Sequence, residues 1–301
     1  MSSANKITII VNPIAGVGAG SSVERGKNRA ELATAFLAKY QQPGQVFITK
    51  GQGHAKQLAQ LALDQEHPTV IVAWGGDGTV NEIASVLTGS SVSLVIVPDG
   101  SGNGLASELG IPKQPEDALG LALSGKDRWI DVGELDGRPF VNIAGIGLDA
   151  KIAHRFSLKS QGSRGFAGYL SATAREVFHR VSNEYQITMP FTTVNTQALL
   201  IAIANGCQYG NGAVIAPCAT LDDGQFDVMV VEDRPLFLVL AALPYMFTRR
   251  IDRVSGVHTY RTNRVKIYGS GPVHCHVDGE PFVGSSVVTA SIHAAALKVR
   301  C

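Results

Sequence analysis

The sequence predicts two domains, a doubly wound α/β domain with a mostly parallel sheet followed by a β-rich domain. Three observations carry this. A chain of 301 residues exceeds the roughly 250 residues at which a single hydrophobic core tends to split. Up to about residue 128, short apolar runs alternate with helix-period stretches, the rhythm of right-handed strand–helix–strand crossovers. Beyond that point strands become more numerous and helices fewer, which sets 1–128 and 129–292 as the two domains.

Within the first domain, ITIIV at 7–11, VFIT at 46–49, TVIVA at 69–73 and SLVIV at 93–97 are nearly continuous apolar runs, as expected of strands buried on both faces. Segments 21–40, 54–64 and 79–87 lie between them and read as helices. Ser21 with Glu24, and Thr79 with Glu82, have capping-box spacing, in which a hydroxyl and a carboxylate satisfy orphan donors of a first turn. In the second domain WIDVGEL, PFVNIAG, EYQITM, NTQALLIAIA, QFDVMVV, RVKIYG, VHCHVDG and SVVTASIH read as strands. Helices interrupt them around 148–158, 166–181 and 235–248.

Lys+Arg at 26 against Asp+Glu at 25 leaves a net charge of +1, which argues against a nucleic-acid partner. Hydrophobic residues at 45% with 17% charged describe a folded globular chain. Residues 1–6 show no basic-then-apolar leader, so a cytoplasmic location is expected. Cys207, Cys218, Cys275 and Cys301 lack the spacing of a zinc site or a disulfide framework, and reduced, mostly buried thiols are expected. The apolar stretch 235–251 is shorter than the roughly 20 residues of a bilayer span and contains Pro244. It reads as a buried or interfacial helix with a basic end at Arg249 and Arg250.

The most informative stretch is AWGGDGTVNEI at 73–83. Gly75, Gly76 and Gly78 follow a buried strand and open a helix, at the sheet edge where parallel sheets bind ligands. Without side chains there, backbone N–H groups can approach a polyphosphate, and the dipole of the helix opening at Thr79 favours the negative charge. Asp77 is unusual inside an anion cradle, which points to metal organisation or to accepting the proton of an attacking hydroxyl. Its plainer role is a hydrogen bond within the glycine turn. A second turn, Pro98 to Ala106, carries Ser101 and Asn103 as candidate phosphate contacts, and a third ends the first strand at Asn12 to Gly16. There is no P-loop sequence, and Gly16, Gly18 and Gly20 lack dinucleotide-fold spacing. His274, Cys275 and His276 alternate along a strand with no further ligand near in sequence, and read as ordinary strand residues.

The strings GGDGTVNEI at 75–83, VNPIAG at 11–16 and GSGNGLA at 100–106 together resemble the diacylglycerol kinase catalytic-domain family, which includes bacterial lipid kinases and sphingosine kinases. IDVG at 130–133, GIGLDA at 145–150, DDGQFDV at 222–228 and VDGEPF at 277–282 extend the resemblance over nearly the whole chain. It implies an NAD-kinase/diacylglycerol-kinase-like first domain, a sandwich-like second domain and ATP in the cleft between them. It also implies a final strand, about 293–301, that joins the first domain. The implied ATP contacts are Asn12, Thr49, Gly75, Gly76, Asp77, Gly78, Thr79, Val80, Asn81 and Ser101. Glu280 matches the proton acceptor proposed in bacterial members, and Asp77 the residue central in sphingosine kinases. Read by itself, Asp278-Gly279 is a hairpin turn. An implied Mg²⁺ would sit at Asp223 with Thr220 and Gln225, where oxygen ligands suit a hard cation. This chain has Gly104 where many bacterial members have an acidic residue, and Val17 where several have lysine.

The expected activity is ATP- and Mg²⁺-dependent phosphorylation of a lipid hydroxyl by in-line attack, with Asp131 and Asp77 orienting metal-bound water. The rival readings are a soluble-substrate kinase of NAD-kinase type and a catalytically silent nucleotide-binding regulator. Helix 235–248 and segment 151–181, with Lys151, Arg155, Lys159, Arg164, Arg175 and Arg180 beside Phe156, Phe166, Tyr169 and Phe178, are candidates for transient contact with an anionic membrane surface. An ordinary solvated helix face is the alternative. A homodimer is compatible with the sequence.

Overall fold

The computed structural model describes residues 6–16, 22–157 and 183–301. By its contacts the chain divides into two compact units, Met1–Ile130 with Ala295–Cys301, and Asp131–Ala294. The Ser21 capping position, Val17, helix 166–181 and most of the basic, aromatic segment 151–181 lie outside the described residues.

The first unit is an α/β layer structure. Strands β1 (Ile7–Val11), β2 (Gly44–Ile48), β3 (Val70–Gly75) and β4 (Ser93–Pro98) pair in parallel in the order β2-β1-β3-β4. Every residue of β1 and β3 is buried, which is why these strands read as unbroken apolar runs. Crossovers are made by α1 (Ser22–Lys39), α2 (His54–Leu61) and α3 (Asp77–Leu87), with α4 (Gly104–Glu108) and α5 (Pro115–Ser124) following β4. Val80, Ile83, Ala84 and Leu87 of α3, and Ala55, Leu58 and Ala59 of α2, form buried helix faces. A π turn at Ala62–Glu66 carries the second helical segment on to Glu66, two residues past the expected end, and His67 closes it in the left-handed region. Helix α3 begins two residues before the expected Thr79, with Gly76 as its N-cap.

The second unit is β-rich and antiparallel. Its strands are the latter part of β5 (Asp127–Leu135), β6 (Arg138–Phe140), β7 (Ile143–Gly147), β8 (Asn183–Met189), β9 (Thr192–Ala204), β10 (Phe226–Glu232), β11 (Val257–Thr262), β12 (Arg264–Gly269), β13 (His274–Val277), β14 (Glu280–Val283) and most of β15 (Val287–Arg300). They run in the order β14-β13-β7-β9-β8-β12-β15, with β10 and β11 leaving from β9. Phe140 and Phe226 stack at 5.6 Å between centroids in its core, with Ile201, Ile203 and Ile267 fully buried around them. The expected single strand PFVNIAG is two strands, because Val141 and Asn142 give their N–H groups to Asp278. Helix α6 (Leu148–Ser157) follows β7, and α7 (Leu236–Phe247) follows β10.

Helix α7 continues through Pro244 and buries none of its residues, so it is not the buried helix allowed by the sequence. Among the described residues no helix is long and apolar enough to cross a membrane. Of the cysteines, Cys207 and Cys275 are buried, Cys301 is intermediate and Cys218 is exposed, so burial of the thiols is less general than expected.

The chain's last residues are fastened inside the first unit. Val299 pairs in parallel with Leu94 of β4. The Asp127 carboxylate accepts from Arg300 Nε at 2.7 Å and Nη2 at 3.1 Å and from Ser93 Oγ at 2.9 Å, with Lys298 Nζ 3.1 Å away. Hydrogen bonds from Arg300 first, then Ser93 and Lys298, hold the carboxyl well below the usual carboxylate range. A depressed folded-state pKa stabilises the fold above the unfolded value, and this contribution disappears as pH falls through the folded value. Asp127→Asn is expected to cost about 1–2 kcal/mol near neutrality and to flatten the acid limb of the stability curve. Denaturant unfolding between neutral and acid pH measures both.

Candidate active site

The first glycine loop is built by close packing. Thr79 in the first turn of α3 folds back over Gly75, where a β-carbon would lie 2.6 Å from Thr79 Oγ1. Gly76 and Gly100 touch backbone to backbone: a β-carbon on Gly100 would lie 2.6 Å from Gly76 Cα. The absent side chains therefore bring the two loops, at the carboxyl ends of neighbouring β3 and β4, into direct contact.

Asp77 closes that contact. Its Oδ2 accepts from Asn103 N at 2.9 Å and its Oδ1 from Gly104 N at 2.8 Å. The carboxylate clips the second loop to the start of α3 through main-chain donors, a stronger form of the turn bond the sequence allowed. Asn103 sits in the left-handed region, where Asn is tolerated. Its side chain accepts from Gly100 N and donates to Gly100 O, both at 2.8 Å. Ser101 lies half-buried in the same loop.

The third loop joins through Asn12, whose Nδ2 donates to Thr79 Oγ1 at 2.8 Å, while Ile14 N donates to Asn12 Oδ1 at 3.1 Å. Arg29 of α1 holds the loop's carbonyls, donating to Asn12 O at 2.8 Å and Ala15 O at 3.1 Å, and forms an ion pair with Asp99. Burial pushes the Asp99 carboxyl up and the Arg29 guanidinium down, each opposed by the other's charge. Thr49 is buried just past β2, its N–H donating to Val11 O at 2.9 Å. Gly78, Val80 and Asn81 lie in the first turns of α3. The first-unit residues implied as ATP contacts thus lie at or just beyond the carboxyl ends of β1, β2, β3 and β4.

The Thr79–Glu82 capping box does not form. Glu82 reaches to another helix, where Oε1 accepts from Gly53 N at 2.7 Å and Oε2 from Ala55 N at 3.0 Å and Lys56 N at 3.3 Å. It therefore satisfies the orphan donors of α2, a partnership 29 residues from its own first contact. Arg29 and Glu82 both organise the loops, and neither has a local sequence pattern that would reveal this.

In the second unit Glu280 opens β14 and is exposed, directly after the Asp278-Gly279 turn. Both turn residues have positive φ, 46° and 87°, as a two-residue hairpin turn requires. The Asp278 carboxylate accepts from Val141 N at 2.8 Å, Asn142 N at 3.0 Å and Ile143 N at 3.0 Å.

Asp223 Oδ2 accepts from Thr220 Oγ1 at 2.6 Å and Oδ1 from Gln225 N at 3.0 Å, so the three residues implied for a metal do cluster. Asp131 is buried beneath them, its Oδ2 accepting from Gly224 N at 2.6 Å. The positive charge on this turn is a guanidinium: Arg261 pairs with Asp223 and lies 3.3 Å from Asp227. Burial pushes the Asp227 carboxyl up, Arg261 opposing it and Asp223 adding to it. With the only carboxylate of the implied ligand set engaged by Arg261, this arrangement does not fit a Mg²⁺ ion there. Stripping divalent cations with EDTA is accordingly expected to leave the melting temperature unchanged, whereas Arg261→Ala should lower it, as followed by thermal unfolding.

Comparison with known proteins places this geometry. Residues 6–135 match the diacylglycerol kinase catalytic domain, and residues 142–301 match the YegS C-terminal NAD kinase beta sandwich-like domain. A probable lipid kinase YegS-like protein of Pseudomonas fluorescens is 32% identical over 246 residues, 81% of each chain. One of Chromohalobacter salexigens is 34% identical over 190 residues, 62% of this chain and 61% of the relative, so that match spans less than two thirds of the relative's length. A diacylglycerol kinase of Mycobacterium tuberculosis is 28% identical over 283 residues, 91% of this chain and 88% of the relative. The crystal structure of a diacylglycerol kinase from Bacillus anthracis superposes with a TM-score of 0.70 at 20% identity, covering 99% of this chain and 97% of that one, which shows the shared fold. The chain belongs to the diacylglycerol kinase catalytic-domain family, with a YegS-type C-terminal domain.

Proposed function

We propose that the chain is an ATP-dependent lipid kinase that transfers the γ-phosphoryl group of Mg·ATP to a lipid hydroxyl, diacylglycerol and sphingoid bases being the first candidates. The observation that carries this reading is the pair of contacting glycine loops at the ends of β3 and β4, clipped by Asp77. Phosphoryl transfer asks a protein mainly for positioning and charge stabilisation, and bare backbone at a helix N-terminus supplies both. Gly75, Gly76 and Gly78 to Asn81 would bind the phosphates, with Asn12, Thr49 and Ser101 at the flanks. The acceptor oxygen attacks the γ-phosphorus in line, the bond to the β–γ bridging oxygen breaks, and ADP leaves with the electron pair. Glu280 takes the proton of the acceptor hydroxyl, while Asp77 keeps the loops in register. Mg²⁺ enters as part of the nucleotide substrate.

Lipid, as opposed to a soluble acceptor, is supported by the names of the relatives and by helix α7. Phe237 is 69% exposed, Leu238 and Tyr245 45% and Phe247 49%. Arg249 and Arg250 follow at once, both exposed. An apolar helix beside fixed positive charge suits the surface of an anionic bilayer, entered from one side and not spanned.

Labelled ATP with diacylglycerol, sphingosine, ceramide and phosphatidylglycerol as acceptors tests the activity, and transfer to none of them while NAD⁺ is phosphorylated would overturn it. Glu280→Gln is expected to reduce kcat by about 10²–10⁴-fold with little change in KM for ATP; a near-normal rate would remove Glu280 from the chemistry. Sedimentation with phosphatidylglycerol vesicles should show binding that weakens with salt and is lost when Phe237 and Phe247 are both changed to Glu. Salt-independent binding, or binding that survives those changes, would leave α7 as a protein-facing surface.

A further inference from the structure

Beneath the turn that carries Glu280 lies a buried polar chain that the proposed chemistry does not use. His276 and Asp149 are 3% and 5% exposed. His276 Nε2 lies 2.8 Å from Asp149 Oδ2, and Tyr209 Oη donates to the same oxygen at 2.6 Å. On the other side of the ring, Gly279 N approaches His276 Nδ1 at 3.2 Å as a donor. With Nδ1 presenting its lone pair to that amide, the neutral ring carries its proton on Nε2, the nitrogen nearest the carboxylate.

We infer that His276 is a positioning residue for Glu280, holding the Asp278-Gly279 turn through the Gly279 amide while Asp149 and Tyr209 fix the orientation of its ring. The inference rests on the reading of Glu280 as proton acceptor. Three geometric facts support it. The turn has only two residues, both at positive φ, so a displaced Gly279 displaces Glu280 with it. Asp278 anchors one half of the turn to residues 141–143, and the Gly279 amide anchors the other half. Gly145 of β7 lies directly against the pair, and a β-carbon there would collide with both Asp149 Oδ2 and His276 Nε2. The backbone has thus made room for a buried polar pair where an apolar side chain would ordinarily fill the layer. Burying polar groups is costly unless they are hydrogen-bonded, and the group His276 holds most directly is the amide next to Glu280.

The test compares His276→Ala, His276→Asn and Asp149→Asn with the unmodified chain. The readouts are kcat and KM for diacylglycerol in mixed micelles, KM for ATP, and amide hydrogen exchange at Gly279. In His276→Asn the side-chain oxygen can take the place of Nδ1 as acceptor. The expected result is a loss of about tenfold or more in kcat for His276→Ala, with KM for ATP unchanged and faster Gly279 exchange, and recovery of both in His276→Asn. Asp149→Asn, which keeps an acceptor for Tyr209 but removes the charge facing Nε2, should give a smaller loss of the same kind. Unchanged kcat and unchanged Gly279 exchange in these variants would overturn the inference, as would an equal loss in His276→Asn and His276→Ala. If His276→Ala does not fold, Asp149→Asn and His276→Asn decide. If the unmodified chain phosphorylates no lipid, the functional reading fails, and Gly279 exchange alone still decides whether His276 holds the turn.

Discussion

A single carboxylate holding two main-chain N–H groups is the constraint on which the loop edge of the first unit depends. Asp77 begins α3, and its oxygens take the amides of Asn103 and Gly104. Hydrogen bonds to a charged acceptor contribute roughly 1.5–3 kcal/mol each, enough to set the distance between two loops that would otherwise be joined only through their strands. The contact of Gly76 with Gly100, the fold-back of Thr79 over Gly75 and the bond from Asn12 to Thr79 all require α3 to start where it does. The loops are a braced unit, and the backbone groups a polyphosphate would meet are already in position.

The same device recurs elsewhere in the molecule. Glu82 takes three amides at the start of α2, Asp278 takes three from the segment between β6 and β7, Asp131 takes Gly224 N and Asp136 takes Thr289 N at 2.8 Å. In each case an acidic side chain fixes a distant stretch of backbone with no side chain on the other partner. This leaves fewer carboxylates for cations than the acidic motifs suggest. At the 220–225 turn the compensating charge comes from Arg261.

How much of this could be read from the residues follows from range. Strands β1, β3 and β4 were legible because burial on both faces leaves an apolar run, and α1 to α3 because their apolar faces recur with helical period. Strand β11 does not stand out in the sequence, since among the described residues it pairs with β10 alone and its mixed polarity matches neither template. Helix α4 has five residues, too few for a period. The glycine loops stood out by composition, but the bond partners of Asp77 lie 26 and 27 residues away, and a local pattern cannot carry that information. Thr79 and Glu82 have capping-box spacing, and only the position of α2 shows that Glu82 serves another helix.

Because the Asp77 clip draws on peptide N–H groups, the side chain at position 104 takes no part in it, whereas position 103 calls for a residue that tolerates the left-handed region. The brace between the two loops is thus written in main chain, and glycine at position 104 contributes to it through its amide alone.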